Sequence, residues 1–355
     1  MKKTTAIGIM SGTSLDGLDL CYVEFTFDGN WTFEIIESDC ISYDKQWYSA
    51  LGNAHTCSLD ELELLSDTFG RYTGEKVNEF LKNFSLPKPD FVCSHGHTVF
   101  HEPAKKFTLQ IGNGQTIANA TGITCVSDFR SLDVSLNGQG APLVPIGDEL
   151  LFSEYEACLN LGGFSNISFK ENGFRRAFDI CPVNIVLNPL ANTLGKPFDE
   201  DGVLSQSGQL NDVLLSELNS LSIYNGLERP SLAREWLEKV FLPVLENSSV
   251  CTKDKLRTVT EHAAQQISSV INSKAKNGSV LVTGGGAKNS FMMERISDLS
   301  NAKIIVPNVE IVDYKEALIF AFLGLLRVRN EINVLKSVTG ASRDSSSGAV
   351  HFPTS

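Results

Sequence analysis

Apolar residues recur along the first part of the chain with a period of two. The run "IGIMSGTSLDGLDL" (residues 7–20) is broken by Ser, Gly, Thr, Asp and Gly, and "DLCYVEFTF" then sets Cys21, Val23, Phe25 and Phe27 on one face, as in a half-buried strand. Asp28-Gly29-Asn30 turns the chain and "WTFEIIES" supplies a third strand, so the pattern predicts a three-stranded meander. The period then lengthens. Leu62, Leu65, Phe69, Tyr72 and Phe80 mark an amphipathic helix over 59–83, opened by Ser58 and Glu61 at capping-box spacing. The strand "DFVCSHG" follows it.

From residue 157 the plan repeats: "ACLNLGG", "FSNISF" and "FRRAFDI" are strands separated by Gly162-Gly163 and by Glu171-Asn172-Gly173. The two segments share a pattern but almost no residues, which reads as an old structural duplication. We expect an α/β chain of two similar lobes, 1–150 and 151–355, facing each other across a cleft. Helices are predicted over 231–246, opened by Pro230-Ser231, and over 253–276, where Leu256, Val259, Ala263, Ile267 and Val270 keep helical spacing and Asn277-Gly278 ends it. "SVLVTGGGAKNSFMMERI" reads as strand, three glycines and amphipathic helix, and "YKEALIFAFLGLLRVRN" as a helix apolar nearly all round and buried between layers. The tail "TGASRDSSSGAVHFPTS" is small and polar, a loop or partly disordered segment.

Composition narrows the partners. Acidic residues outnumber basic ones by 42 to 30 and no basic block is interleaved with aromatics, which argues against nucleic acid. "MKKTTAIGIM" is interrupted too early for a leader, and no run approaches the ~20 apolar residues of a membrane span, so a cytoplasmic protein with no membrane partner is expected. Eight cysteines without a Cys-x-x-Cys pair, most of them in apolar runs, read as buried free thiols.

Three glycine turns end predicted strands: Gly12 with its hydroxyl neighbours, Gly162-Gly163, and Gly284-Gly285-Gly286. Glycine lets backbone N–H groups approach an anion, though each turn alone could be only a tight reversal. None fits a P-loop or a dinucleotide fingerprint. His95, His97 and His101 lack a third acidic or cysteine ligand at useful spacing, so a metal site there is not expected.

"GIMSGTSLDGLD", "SHGHTVFHEP", "TLQIGNGQTIA", "DFRSLDVSLNGQGAPLVP", "LNLGGFSNISF", "TGGGAKNSFMMERI", "DYKEALIFAFL" and "VTGA" occur in this order, and over residues 7–353 the chain resembles the anhydro-N-acetylmuramic acid kinases. The resemblance implies duplicated actin-like ATPase (ribonuclease H-like) lobes around a nucleotide cleft. It also implies a reaction of ATP, Mg²⁺ and an amino sugar in cell-wall recycling: water opens the 1,6-anhydro ring while the freed 6-oxygen takes the γ-phosphate. A homodimer fits the family.

Carried onto this chain, the resemblance makes Ser11, Gly12, Thr13 and Ser14 the first phosphate turn, with Asp16 and Asp19 near the metal through water. Asp16 could equally be the first residue of an Asp-Gly turn. Gly162 and Gly163 become the second phosphate turn, Gly284, Gly285 and Gly286 the adenosine-side turn, and Asp179 the catalytic base. Arg130 would hold a carboxylate, unless it forms a surface ion pair with Asp128 or Asp133, while Glu316 and Asn184 would hold the sugar. The chain departs from the family at Ile180, Cys181 and Val183, where Thr, Gly and Gly are usual, at His97 for glutamine, at Asn137 for glycine, and at Gly147-Asp148 for Phe-His. These changes leave open a kinase of another sugar, or a nucleotide-binding protein of the same fold without phosphotransfer.

Overall fold

The computed structural model describes residues 3–226, 232 and 234–354. It has two units, Met1–Leu151 with Tyr314–Ser355, and Phe152–Asp313. Among the described residues the strands form two sheets. In the first unit these are β1 (Thr4–Ser11), β2 (Gly17–Asp28), β3 (Asn30–Ser42), β4 (Phe91–Glu102), β5 (Phe107–Ile111), β6 (Cys125–Ser127) and, from the end of the chain, β12 (Ala349–His351). The second unit holds β7 (Ala157–Leu161), β8 (Phe164–Glu171), β9 (Phe174–Pro182), β10 (Ser279–Thr283) and β11 (Lys303–Ile305).

The strand orders repeat. In the first sheet β6-β4-β1-β2-β3 lie side by side, with β1–β2 and β2–β3 antiparallel and β1–β4 and β4–β6 parallel. In the second, β11-β10-β7-β8-β9 copy that order and those directions. A meander followed by two parallel strands, twice, is the duplication the sequence pattern predicts, and the actin-like α/β fold class holds. The first sheet is extended by β5 on β4 and β12 on β6.

Several helices fall where capping chemistry puts them. The Leu59–Asn83 helix starts on Ser58, whose N–H donates to Glu61 Oε2 (2.7 Å) while Glu61 N–H donates back to Ser58 Oγ (3.4 Å). In the Thr252–Lys274 helix, Leu256, Val259, Ala263, Ile267 and Val270 are all fully buried against the second sheet's core. It closes on Ala275, with Lys276 rather than Asn277-Gly278 taking the left-handed conformation (φ 49°). The predicted opening of the 231–246 helix at Pro230-Ser231 lies outside the described residues. Downstream, Arg234–Trp236 and Leu242–Asn247 flank a wide turn at Leu237–Phe241, just ahead of Pro243, which has no N–H to donate to the preceding turn.

The second lobe does not run to residue 355 as expected: it stops at Asp313, and the remainder belongs to the first unit. The reason is the Val309–Val328 helix. Its Ala317–Phe322 stretch is buried, and its backbone lies so close to the first sheet that a Cβ on Gly8 would collide with the Ala317 carbonyl, and one on Gly324 with Cys93 Sγ. The tail is an ordered loop rather than a disordered one. Asn333 Nδ2 donates to Leu323 O and Ser347 O, Ser347 Oγ donates to Phe129 O (2.7 Å), and β12 pairs with β6. Buried Ser347 is held because its hydroxyl finds such a partner. Five of the eight cysteines are buried, while Cys40 and Cys251 are exposed.

Candidate functional site

In a sheet with parallel strands, ligands bind at the carboxyl ends of those strands. In the first unit, β1 and β6 end in the turn at residues 11–16 and in Asp128–Arg130, and the parallel pairing of β4 with β1 ends at His97. The first turn closes with Leu15 N–H donating to Gly12 O (3.2 Å), and Leu15, not Gly12, carries the positive φ (61°). Thr13, Ser14 and Asp16 are exposed, and a Cβ on Gly12 would meet nothing nearer than Ser14 Oγ at 3.3 Å. Only the side chain of exposed Ser14 crowds the position of a Gly12 Cβ, and no core residue does. Ser11, expected among the phosphate donors, is buried and already engaged: Tyr43 donates to its Oγ (2.7 Å), which also bonds His97 Nδ1 (3.0 Å). Burial lowers the His97 pKa to about 4, so this histidine is neutral near pH 7. Asp19 stands opposite Cys40 on β3.

Arg130 is half-buried and does not pair with Asp128 or Asp133. Its Nε and Nη2 donate to His95 Nε2 (3.1 and 2.8 Å), and Nη1 donates to Gly140 O (2.6 Å). Asp128 instead accepts from Ser131 N (3.2 Å), while fully buried Asp133 accepts from Gly140 N (2.7 Å) and Thr339 Oγ1 (2.7 Å). Asp133 thus ties the 137–140 loop to the tail. Burial lowers the Arg130 pKa to about 10, opposed by Glu316, which lies within electrostatic reach. Glu316 keeps contact with solvent, yet the protein around it raises its carboxyl, with Arg130 and Lys315 pulling the other way. Lys315 itself forms an ion pair with Asp148 (2.6 Å), both side chains being buried.

In the second unit the two glycine turns emerge side by side, because β7 and β10 are adjacent and parallel, with Thr283 opposite Asn160. Gly284 (φ 84°) and Gly286 pack on Asn160 and Leu161, where a Cβ would collide, whereas Gly163 and Gly285 are exposed and a Cβ on either would meet nothing within 3.5 Å. Asn184 sits between the turns and donates from Nδ2 to Leu161 O (3.2 Å). The N–H groups of Val183, Asn184 and Ile185 donate to the carbonyls of Gly162 and Gly163, so the Asn184–Thr193 helix is moored to the first of these turns.

Asp179 lies near the end of β9, half-buried, with Oδ2 accepting from Leu232 N (2.8 Å). It pairs with Asn166 while Cys181 pairs with Ser165, so Ile180 is an extra residue, a β-bulge beside the acid. Bulges re-aim neighbouring side chains, which is why they recur next to active sites.

Among the described residues no group of three His, Cys, Asp or Glu could hold a metal ion. Asp16 and Asp19 are two carboxylates without a third ligand, a donor set suited to Mg²⁺, which keeps several waters. His95, His97 and His101 face three different partners: Arg130, Ser11 and Thr108. Reading the residues did not find Tyr43, the roles of His95 and Thr339, or the Lys315–Asp148 pair. Nothing in the spacing of "SHGH" or "VTGA" names a partner more than 30 residues away.

Residues 4–353 match the sequence profile of the family described as anhydro-N-acetylmuramic acid kinase. The chain belongs to that family. Among curated members, the anhydro-N-acetylmuramic acid kinase of Mannheimia succiniciproducens is 34% identical, over 99% of this chain and 100% of the relative. That of Vibrio cholerae is 34% identical over 98% of both chains, and that of Pseudomonas putida 36% identical over 90% of this chain and 91% of its own. The chain is therefore an enzyme of a kinase family.

Membership lets the departures be judged in place. Ile180, Cys181 and Val183 of this kinase are fully buried in the second unit's core, and none has a positive φ. The side chains that replace Thr and two glycines point into packing. Asn137 takes the left-handed conformation (φ 66°) that the family's glycine would take freely and that asparagine tolerates best among other residues. Gly147 leaves room for Ile319, and Asp148 meets Lys315.

Proposed function

We propose that this kinase couples hydrolytic opening of 1,6-anhydro-N-acetylmuramic acid to phosphorylation of its 6-oxygen by ATP. The observation that carries the reading is Asp179, a partly accessible carboxylate set at a bulge of β9 and held through one oxygen by Leu232 N–H. A partly accessible carboxylate at the end of a strand can take a proton from water. Water adds to the anomeric carbon as Asp179 accepts its proton; the bond from that carbon to O6 breaks, and O6 takes the γ-phosphoryl while ADP leaves.

Gly12, Thr13 and Ser14 receive phosphate oxygens on the first unit's side, and Gly163 and Gly285, exposed and bare, do so in the second, with Gly162, Gly284 and Gly286 shaping the turns. Asn184 keeps those turns in register. Asp16 and Asp19 would hold Mg²⁺ through water, where it supplies neutralisation of phosphate charge. Arg130 receives the lactyl carboxylate and Glu316 the sugar hydroxyls. The altered loop at Ile180, Cys181 and Val183 does not favour another sugar, because its side chains are absorbed by the core. We place the reaction in the cytoplasm, the compartment of ATP and one that suits a chain whose eight cysteines form no disulfide.

The test is a phosphorylation assay with Mg-ATP and product mass. Gain of one phosphate and one water by the anhydro sugar, and not by N-acetylglucosamine or glucose, is expected. If ATP binds and no sugar is phosphorylated, the proposal fails.

A further inference from the structure

We propose that His95 is the positioning residue for Arg130, presenting the guanidinium to the substrate carboxylate through its two terminal nitrogens; this rests on the reading above that Arg130 receives that carboxylate.

The geometry starts at Gly96. His95 Nδ1 lies 2.9 Å from the Gly96 carbonyl, which can only accept, so Nδ1 carries the proton and Nε2 is a bare lone pair. Arg130 Nε and Nη2 both converge on that lone pair. The ring is 6% exposed, and Phe320 packs against it with centroids 4.8 Å apart, so the imidazole cannot swing away without leaving the core.

A guanidinium has five N–H groups. Two go to His95 and one goes to Gly140 O, which Asp133 holds through the Gly140 N–H. One N–H remains on each terminal nitrogen. The Nε/Nη2 edge that most often grips a carboxylate is occupied, so an incoming carboxylate must bind across Nη1 and Nη2. A neutral imidazole is required, since a protonated one would offer no lone pair and would set two cations in contact. Burial first, and Arg130 second, hold the His95 pKa well below the ordinary imidazole value.

Two variants separate this role from packing. His95→Asn can keep a donor toward Gly96 O but ends short of Arg130. His95→Gln can place its carbonyl where Nε2 stood. With 1,6-anhydro-N-acetylmuramic acid as substrate, His95→Asn should raise the KM at least about tenfold, the loss of one hydrogen bond to a charged group, while His95→Gln stays within about threefold of the parent. The inhibition constant of 1,6-anhydro-N-acetylglucosamine, which lacks the carboxylate, and the KM of ATP should not move in either variant.

Equal KM values for the Asn and Gln variants overturn the proposal, as does a rise shared by the neutral sugar and ATP. Arg130→Met is the control: if it leaves the carboxylated sugar's KM unchanged, the assignment of Arg130 is what fails. If it raises that KM while His95→Asn does not, only the positioning role fails. Should the Asn variant not fold, a crystal structure of His95→Gln decides, and an Arg130 fork turned away from residue 95 overturns the proposal.

Discussion

Lys315→Met is the perturbation that asks most of the first unit. Lys315 Nζ and Asp148 Oδ1 are 2.6 Å apart, with side chains 6% and 4% exposed, in a contact that is an ion pair rather than a well-aligned hydrogen bond. At an effective dielectric of about 20, two unit charges at that separation attract by roughly 6 kcal/mol, and much of this offsets the cost of removing both from water. Methionine keeps most of the lysine stem's volume, so the change deletes the charge and takes the ion-pair partner from buried Asp148. The expected loss is about 3–5 kcal/mol, or roughly 6–20 °C in melting temperature for a unit of this size. Replacing both partners, Asp148→Leu with Lys315→Met, removes both charges together and should recover most of that loss. Both residues have other interactions, so the double-mutant cycle rather than either single change isolates the pair. Urea unfolding of the four proteins gives the coupling directly. A double variant that loses the sum of the two single losses would refute the argument that the pair acts as a unit.

Other expectations follow from the same geometry. Gly12→Ala should melt like the parent, since its Cβ presses only on the exposed Ser14 hydroxyl at 3.3 Å, which can turn aside, yet weaken ATP binding, whereas Gly8→Ala should unfold the first unit by driving into the Ala317 carbonyl; calorimetry and ATP titration read both. Asp179→Asn should bind ATP normally and lower turnover at least about 10²-fold if Asp179 is the base, and an unchanged rate would remove it from that role. Glu316 is ionised only above its raised pKa, so activity that needs its carboxylate is lost as pH falls, and Lys315→Met should move that acid limb to higher pH in a pH–rate profile. In the second unit, burial pushes Glu261 up, but Arg295 and Arg257 overcome it and hold its carboxyl at about 2. That depressed value contributes on the order of 3 kcal/mol above pH 4.5, lost as pH falls from 4.5 toward 2, and Glu261→Gln should flatten this part of the stability curve.

The meander, the Leu59–Asn83 helix and the duplication were legible because each is written in a local period of two or 3.6, or in a cap within four residues of its partner. The glycine turns were legible for the same reason: they sit where an apolar run stops. What the sequence by itself determined is this succession of elements and the family motif they carry. Only the tertiary structure decided that the last 42 residues return to the first unit, because the Val309–Val328 helix needed a bare strand at Gly8 to approach. Likewise, only it joined His95 to Arg130 and Asp133 to Thr339, and turned Ser11 inward. It also placed Ile180, Cys181 and Val183 in the core. Those outcomes depend on which buried donor meets which buried acceptor across tens to hundreds of residues. No periodicity encodes such pairing, because it is settled only when burial makes an unmet polar group costly.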